Sequence, residues 1–203
     1  PGDDATPDDS GNGLDDMMTG TDGDDSIEGS TMSTVNAGAG DDIVTGNATD
    51  DSLSGEAGDD RLSGLAGNDA LSGGEGNDSL FGSTGDDLAF GGAGDDLIWG
   101  GSDDDLLAGG AGADTLMGSS GDDVLIGALT PFDADLAPDI AAALTGGTLT
   151  LTAFDVFAPG GDSDAGDTLM GGFGDDILVV GSEDSATGGD GSDIFTLGAW
   201  IQD

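Results

Sequence analysis

From Ala37 to Ile126 one nine-residue phrase recurs without a break in register, and its clearest copy is GGAGDDLIW, Gly91 to Trp99. Each copy sets Gly at or near the first, second and fourth places, Asp at the sixth and an aliphatic residue at the eighth. The first six places are turn chemistry, because Gly supplies positive φ angles and lets neighbouring backbones approach closely. The last three are strand. Side chains on a strand alternate with period two, so places six and eight point to the same side. The aliphatic residue is expected inside a coil, the Asp facing inward at the turn, and places seven and nine in solvent. Two copies make one full coil of strand, turn, strand and turn. Successive coils stack about 4.8 Å apart, the ordinary strand spacing.

The phase holds place by place. Place six is Asp42, Asp51, Asp60, Asp69, Asp78, Asp87, Asp96, Asp105, Asp114 and Asp123, while place eight is Val44, Leu53, Leu62, Leu71, Leu80, Ala89, Ile98, Leu107, Leu116 and Leu125. Upstream, Asp16 with Met18 and Asp25 with Ile27 keep the phase. The copy Gly29 to Asn36 is one residue short and sets Thr34 where the acid is due. After a break the phrase returns at Asp167 with Leu169, at Asp176 with Leu178 and at Asp193 with Phe195. A degenerate copy between the last two has Ser185 in the acidic place.

Stacking sets each place-six Asp over the Asp two copies away, as Asp78 over Asp96. Two unit charges at that distance repel by about 0.9 kcal/mol even in water, so rows of acids along both edges oppose stacking. A cation reverses the sign. The chain has no Cys and no His, which removes thiolate and imidazole ligands and leaves oxygen donors; these select hard cations. Calcium takes about 6–8 oxygens, which paired carboxylates and converging turn carbonyls supply, whereas magnesium keeps its waters in a compact octahedron. The fifteen place-six aspartates named above, from Asp16 to Asp193, are therefore the candidate ligands.

The Gly-Gly-x-Gly-x-Asp-x-aliphatic-x nonapeptide is the sequence signature of a parallel β-helix that binds calcium in its turns. On these residues the chain resembles the RTX (repeat-in-toxin) family of proteins exported by bacteria. The resemblance implies several calcium ions shared between neighbouring turns, a secreted or cell-surface location, and type I secretion directed by a C-terminal signal. The expected fold is all-β: a calcium-stabilised parallel β-roll, a β-solenoid with two strands per coil, carrying one short inserted α/β segment.

Composition bounds the rest. The 203 residues include 44 Asp and Glu against the single basic residue Arg61, giving a formal charge of −43. Such a chain repels phosphate, which excludes nucleic acid and an anionic membrane surface as partners. High charge with few aromatics reads as disorder, and that is the expectation for the metal-free chain. The interior is one aliphatic side chain per copy, too thin to offset the ordering of so many Gly unless bound metal adds its linkage energy. No apolar run is long enough to span a bilayer. Asp8, Ser10, Asn12 and Gly13 match the start of an EF-hand loop, but Thr19 stands where its bidentate acid is required.

Four segments are expected: an acidic linker over 1–10, repeats over 11–126, an insertion over 127–161, and a second repeat block over 162–203. Pro1 in place of an initiating Met suggests a fragment or processed product. Within the insertion, Asp135 to Leu144 reads as a short helix and Thr148 to Phe157 as a strand or half a hairpin. Place nine is polar at Thr45, Ser54, Ser63 and Ser72, then becomes Phe81, Phe90, Trp99, Ala108, Met117 and Ile126. Leu88, Leu97, Leu106 and Val124 fill place seven. An apolar stripe around Phe81, Phe90, Leu97 and Trp99 marks a contact surface, covered by the insertion, a partner protein or another copy.

Three functional classes follow. The first is a calcium-binding module of an exported protein, unfolded without calcium and folding outside the cell. The second is an enzyme, and here the chain offers little: no His pair for a zinc protease and no Gly-x-Ser-x-Gly elbow. No catalytic residue is expected, although a catalytic domain elsewhere in a parent protein stays open. The third is a self-assembling extracellular scaffold.

Overall fold

The computed structural model describes residues 6–7, 17–28, 34–127, 166–181 and 183–197. These contain strands and no helix. Numbered in chain order, one ten-stranded sheet consists of Thr6–Pro7 (β1), Met17–Thr19 (β2), Thr34–Ala39 (β4), Ser52–Ala57 (β6), Ala70–Glu75 (β8), Leu88–Ala93 (β10), Leu106–Ala111 (β12), Val124–Ile126 (β14), Ile177–Val180 (β16) and Ile194–Leu197 (β18). An eight-stranded sheet takes the alternate strands Ser26–Glu28 (β3), Ile43–Thr45 (β5), Arg61–Ala66 (β7), Ser79–Thr84 (β9), Leu97–Ser102 (β11), Thr115–Ser120 (β13), Thr168–Phe173 (β15) and Ser185–Asp190 (β17). All pairings are parallel except that of β1, whose Thr6 and Pro7 run antiparallel to Thr19 and Met18 of β2. The molecule is a two-strand-per-coil β-solenoid, as the repeat predicts.

Strands reach further than the repeat suggests. Arg61–Ala66 occupies places seven to nine and then the first three places of the next copy, and Leu65 still pairs with Ser83. The chain therefore turns over places four to six alone.

Place eight forms the core. Ile27, Val44, Leu62, Leu80, Ile98, Leu116 and Leu169 stack from one sheet against Val35, Leu53, Leu71, Ala89, Leu107, Leu125 and Leu178 of the other, all fully buried. The register keeps like over like: Leu62 pairs with Leu80, and Leu80 with Ile98. Phe195 departs from the expectation. It lies on the last strand of its sheet and is 51 % exposed, since no further described coil covers it.

The outward places divide into two faces, because consecutive copies alternate between sheets. Phe90 belongs to the ten-stranded sheet, while Phe81, Leu97 and Trp99 belong to the eight-stranded one, so the single stripe expected from the sequence is two. On the eight-stranded face, Phe81, Trp99, Met117 and Met170 stand in one row, with Trp99 45 % exposed. Arg61 places its guanidinium 4.3 Å from the Phe81 ring centroid, a contact of about 0.5–1 kcal/mol at an exposed site. On the other face, Leu106, Ala108, Val124, Ile126 and Val179 are buried although they occupy places seven and nine, with Leu88, Phe90 and Ile177 packed beside them. This corrects the expectation that those places all face solvent. The helix and strand expected over 135–157 lie outside the described residues.

The repeat survives its interruption. Thr115, Leu116 and Met117 pair with Thr168, Leu169 and Met170 in the register used everywhere else. Gly127 and Gly166 bracket a single turn, opened between its first and fifth places.

Candidate metal sites

Each turn delivers one Asp, at place six, to the edge of the roll. Two rows result. One runs from Asp25 through Asp42, Asp60, Asp78, Asp96 and Asp114 to Asp167; the other runs from Asp51 through Asp69, Asp87, Asp105 and Asp123 to Asp176 and Asp193. Within a row every backbone N–H donates to Oδ1 of the Asp in the next coil, as Asp78 N–H does to Asp96 Oδ1 at 2.8 Å. These bonds offset part of the carboxylate repulsion and fix the carboxylate plane.

The second oxygen is left over. Oδ2 of Asp42, Asp60, Asp69, Asp78, Asp87, Asp96, Asp105, Asp123 and Asp176 is buried with no hydrogen-bond partner. A buried, unpaired carboxylate oxygen is costly, so each such atom points to a missing positive partner. The space around it has the right shape. A Cβ built on Gly73 would overlap Asp78 Oδ2 and stand 2.6 Å from the carbonyl oxygen of Gly91, the equivalent residue one coil on. The same carboxylate–carbonyl pair recurs at Gly82 with Asp87 and Gly100, and at Gly118 with Asp123 and Gly171. Glycine at place one keeps this hollow open. Glycine at Gly76, a place-four residue, answers a different need: its φ is 132° and its Cβ would strike the Gly58 carbonyl.

Among the described residues no three acidic side chains converge on a point. A cation held here would draw its oxygens from one or two carboxylates and the carbonyls of adjacent turns. Such oxygen-only, anionic and irregular surroundings suit calcium better than magnesium.

Burial leaves its mark on the acids. Desolvation, which outweighs the backbone N–H bond that opposes it, raises Asp60 and Asp69 to about 6, Asp87, Asp96 and Asp123 to about 7 and Asp105 to about 9. Asp42, Asp78 and Asp176 move in the same direction. Nearby carboxylates add to the rise, in most cases those of the same row, as Asp123 and Asp87 do beside Asp105, and for Asp78 the place-five Asp59.

The sequence reading places most of these acids correctly and some not. Asp16 lies outside the described residues. Asp193 accepts the Asp176 N–H at 3.2 Å at the open end of its row. Ser185 is not the acidic-place residue of its copy: Ser185 pairs with Thr168 as a strand residue, and Asp184 takes the place, accepting the Asp167 N–H at 3.0 Å and the Gly181 N–H. Thr34 likewise is a strand residue opposite Met17, with Val35 entering the core.

A further pair of ladders went unread. At place five, Asp59 N–H donates to Asp41 Oδ1, Asn77 to Asp59 and Asp95 to Asn77; on the other edge Asn68 donates to Asp50, Asp86 to Asn68 and Asp104 to Asp86. These bonds run back to the preceding coil, opposite in sense to the place-six rows. The recurrence of Asp or Asn at place five was the available signal.

Two turns differ. In the turn ending at Asp51, Asn47 N–H reaches Asp51 Oδ2 at 2.6 Å and Asn47 Nδ2 reaches Oδ1 at 2.9 Å. In the turn ending at Asp25, Thr21 N–H reaches Asp25 Oδ2 at 2.7 Å and its hydroxyl does so at 3.1 Å, leaving Oδ1 buried and unpartnered.

A family model described as the RTX calcium-binding nonapeptide repeat (4 copies) matches residues 10–31, 36–71, 72–107, 99–129 and 162–184. No curated protein matches the chain.

Proposed function

Because the chain belongs to the family of RTX calcium-binding nonapeptide repeats, we propose that its place-six aspartates hold calcium in two rows and that at neutral pH the roll forms only when they do. The observation that carries this reading is the file of buried Oδ2 atoms without partners. Calcium would supply the positive charge those oxygens lack. The chain's own part is to fix each carboxylate through Oδ1, to keep the hollow open with Gly at place one, and to bring the next coil's carbonyl beside it.

Linkage then gives the module its use. A site at about 100 times its dissociation constant stabilises the folded form by roughly 2.7 kcal/mol, and many such sites decide the equilibrium for a chain of charge −43. Where calcium is scarce, as inside a cell, the chain stays unfolded and can be threaded for export; outside, it folds. Secretion by the type I route is the corresponding proposal. No catalytic role is proposed for these carboxylates.

The test is far-ultraviolet circular dichroism during a calcium titration of the whole chain, with magnesium as control. A cooperative coil-to-β change with calcium alone is expected. A chain already folded in excess chelator at neutral pH would sink the proposal.

The exposed row Phe81, Trp99, Met117 and Met170 favours a second reading, a scaffold that associates through its eight-stranded face. Sedimentation with and without calcium separates the two, and a monomer under both conditions counts against assembly.

A further inference from the structure

We infer that the turn ending at Asp51 takes no calcium, because the chain's own donors occupy both of its carboxylate oxygens. This rests on the calcium reading above and refines it turn by turn.

In the turns ending at Asp60, Asp69 and Asp78, place two is left-handed, with φ 80° at Glu56, 82° at Leu65 and 128° at Gly74. No donor reaches Oδ2 in any of them. Thr21 and Asn47 hold place two of the exceptional turns, and neither has a positive φ. Their N–H groups point instead at the carboxylate, at 2.7 and 2.6 Å. Each also folds its own side chain into the turn. Asn47 Oδ1 accepts from the N–H and the hydroxyl of Thr49, at 2.9 and 2.8 Å, and Thr21 Oγ1 accepts from Gly23 N–H at 3.4 Å. These are the local side-chain-to-backbone turns that Asn and Thr make readily.

Place four explains why the second of these turns departs from the rest. Thr49 stands where the neighbouring turns have left-handed Gly58 and Gly67. A β-branched residue resists positive φ, so the turn settles into the Asn47 closure. A cation and an N–H compete for the same lone pairs, and a donor aimed at Oδ2 places partial positive charge where the ion would sit. Asp51, with both oxygens bonded within its own turn and its N–H given to Asp69 Oδ1, needs no ion to be stable when buried. Both exceptional turns are the first described members of their rows, but Asp25 keeps an unpartnered Oδ1, and of the two only the Asp51 turn satisfies both oxygens itself.

Native mass spectrometry of the whole chain in calcium counts bound ions directly. Asp51→Asn is expected to keep the wild-type count, whereas Asp69→Asn, one coil further along the row, loses at least one ion. Asn47→Gly with Thr49→Gly is expected to gain one. Loss of an ion from Asp51→Asn, matching Asp69→Asn, overturns the inference. If Asp51→Asn does not fold in calcium, the double glycine variant decides: a gain supports the inference and an unchanged count overturns it. A wild-type chain that binds no calcium is a separate result, which removes the calcium reading itself.

Discussion

The backbone N–H of Asp114 donates to Oδ1 of Asp167 at 2.7 Å, across 53 positions of sequence where the rule in the preceding coils is 18. The bond has the same length and sense as its neighbours. The carboxylate row is therefore a property of the stacked coils, and any turn that restores place six rejoins it whatever lies between.

Filling one hollow should cost one ion. Gly73→Ala puts a methyl group onto Asp78 Oδ2, and the calcium midpoint for folding is expected to rise, with a loss of up to about 2.7 kcal/mol at calcium near 100 times the site's dissociation constant. Glu75→Ala, on the exposed edge of the same strand, should shift stability by less than about 0.5 kcal/mol. Equal midpoints for the two variants would show that place one does not shape the site.

Protons compete with calcium. Burial raises several of these acids above the ordinary 3.8, to about 6 for Asp69, about 7 for Asp87 and about 9 for Asp105. Folded coils without metal thus hold protons that the unfolded chain has released, so their stability is present below about pH 4 and is lost as pH rises through these raised values. In chelator, β-structure should appear on acidification from pH 8 to pH 4. With calcium, the midpoint concentration should fall as pH rises from 5 to 8, followed by circular dichroism. A midpoint that ignores pH over that range would mean the carboxylates are already ionised when calcium arrives.

Leu65 sits at place two with φ 82° and 44 % exposure. It carries the strain of a left-handed residue and gains little from burial. Leu65→Gly is expected to stabilise the calcium-loaded roll by roughly 0.5–1 kcal/mol, measured by urea denaturation. Destabilisation would imply that the leucine side chain packs usefully after all.

Place nine should behave in two ways depending on the sheet. Ile126 is 1 % exposed and Trp99 is 45 % exposed. Ile126→Asp buries an unpaired charge and should cost about 3 kcal/mol or more, while Trp99→Ser, losing one hydrogen bond to Ser119, should stay within about 1 kcal/mol. Similar losses for both in thermal melts would contradict the two-face arrangement.

The sequence made the rows and the core readable because both obey a strict nine-residue phase, so Asp87 and Leu116 could be assigned with no structure at all. It failed where the phase slips. When a copy is one residue short, Asp184 and Ser185 are equally plausible occupants of place six, and only the pairing of Ser185 with Thr168 decides. The same ambiguity misplaced Thr34. Whether Oδ2 of a given Asp is free depends on φ at place two, which Leu65 and Ser83 adopt against their own preference and Asn47 does not. Side-chain type alone does not encode that choice. The division of Phe81 from Phe90 was implicit in two strands per coil but invisible in a list of outward residues.

The turn that opens after Gly127 and closes at Gly166 brings its two ends to the same hollow, where a Cβ on Gly127 would overlap Asp167 Oδ2. Seen as architecture, this is a port: a break in the casing whose rims stay in line. Chain of almost any length can be spliced there at slight entropic cost, about 0.6 kcal/mol for each doubling, while the coils on either side keep their register. A repeat array built this way can acquire a new domain at its flank without surrendering a rung.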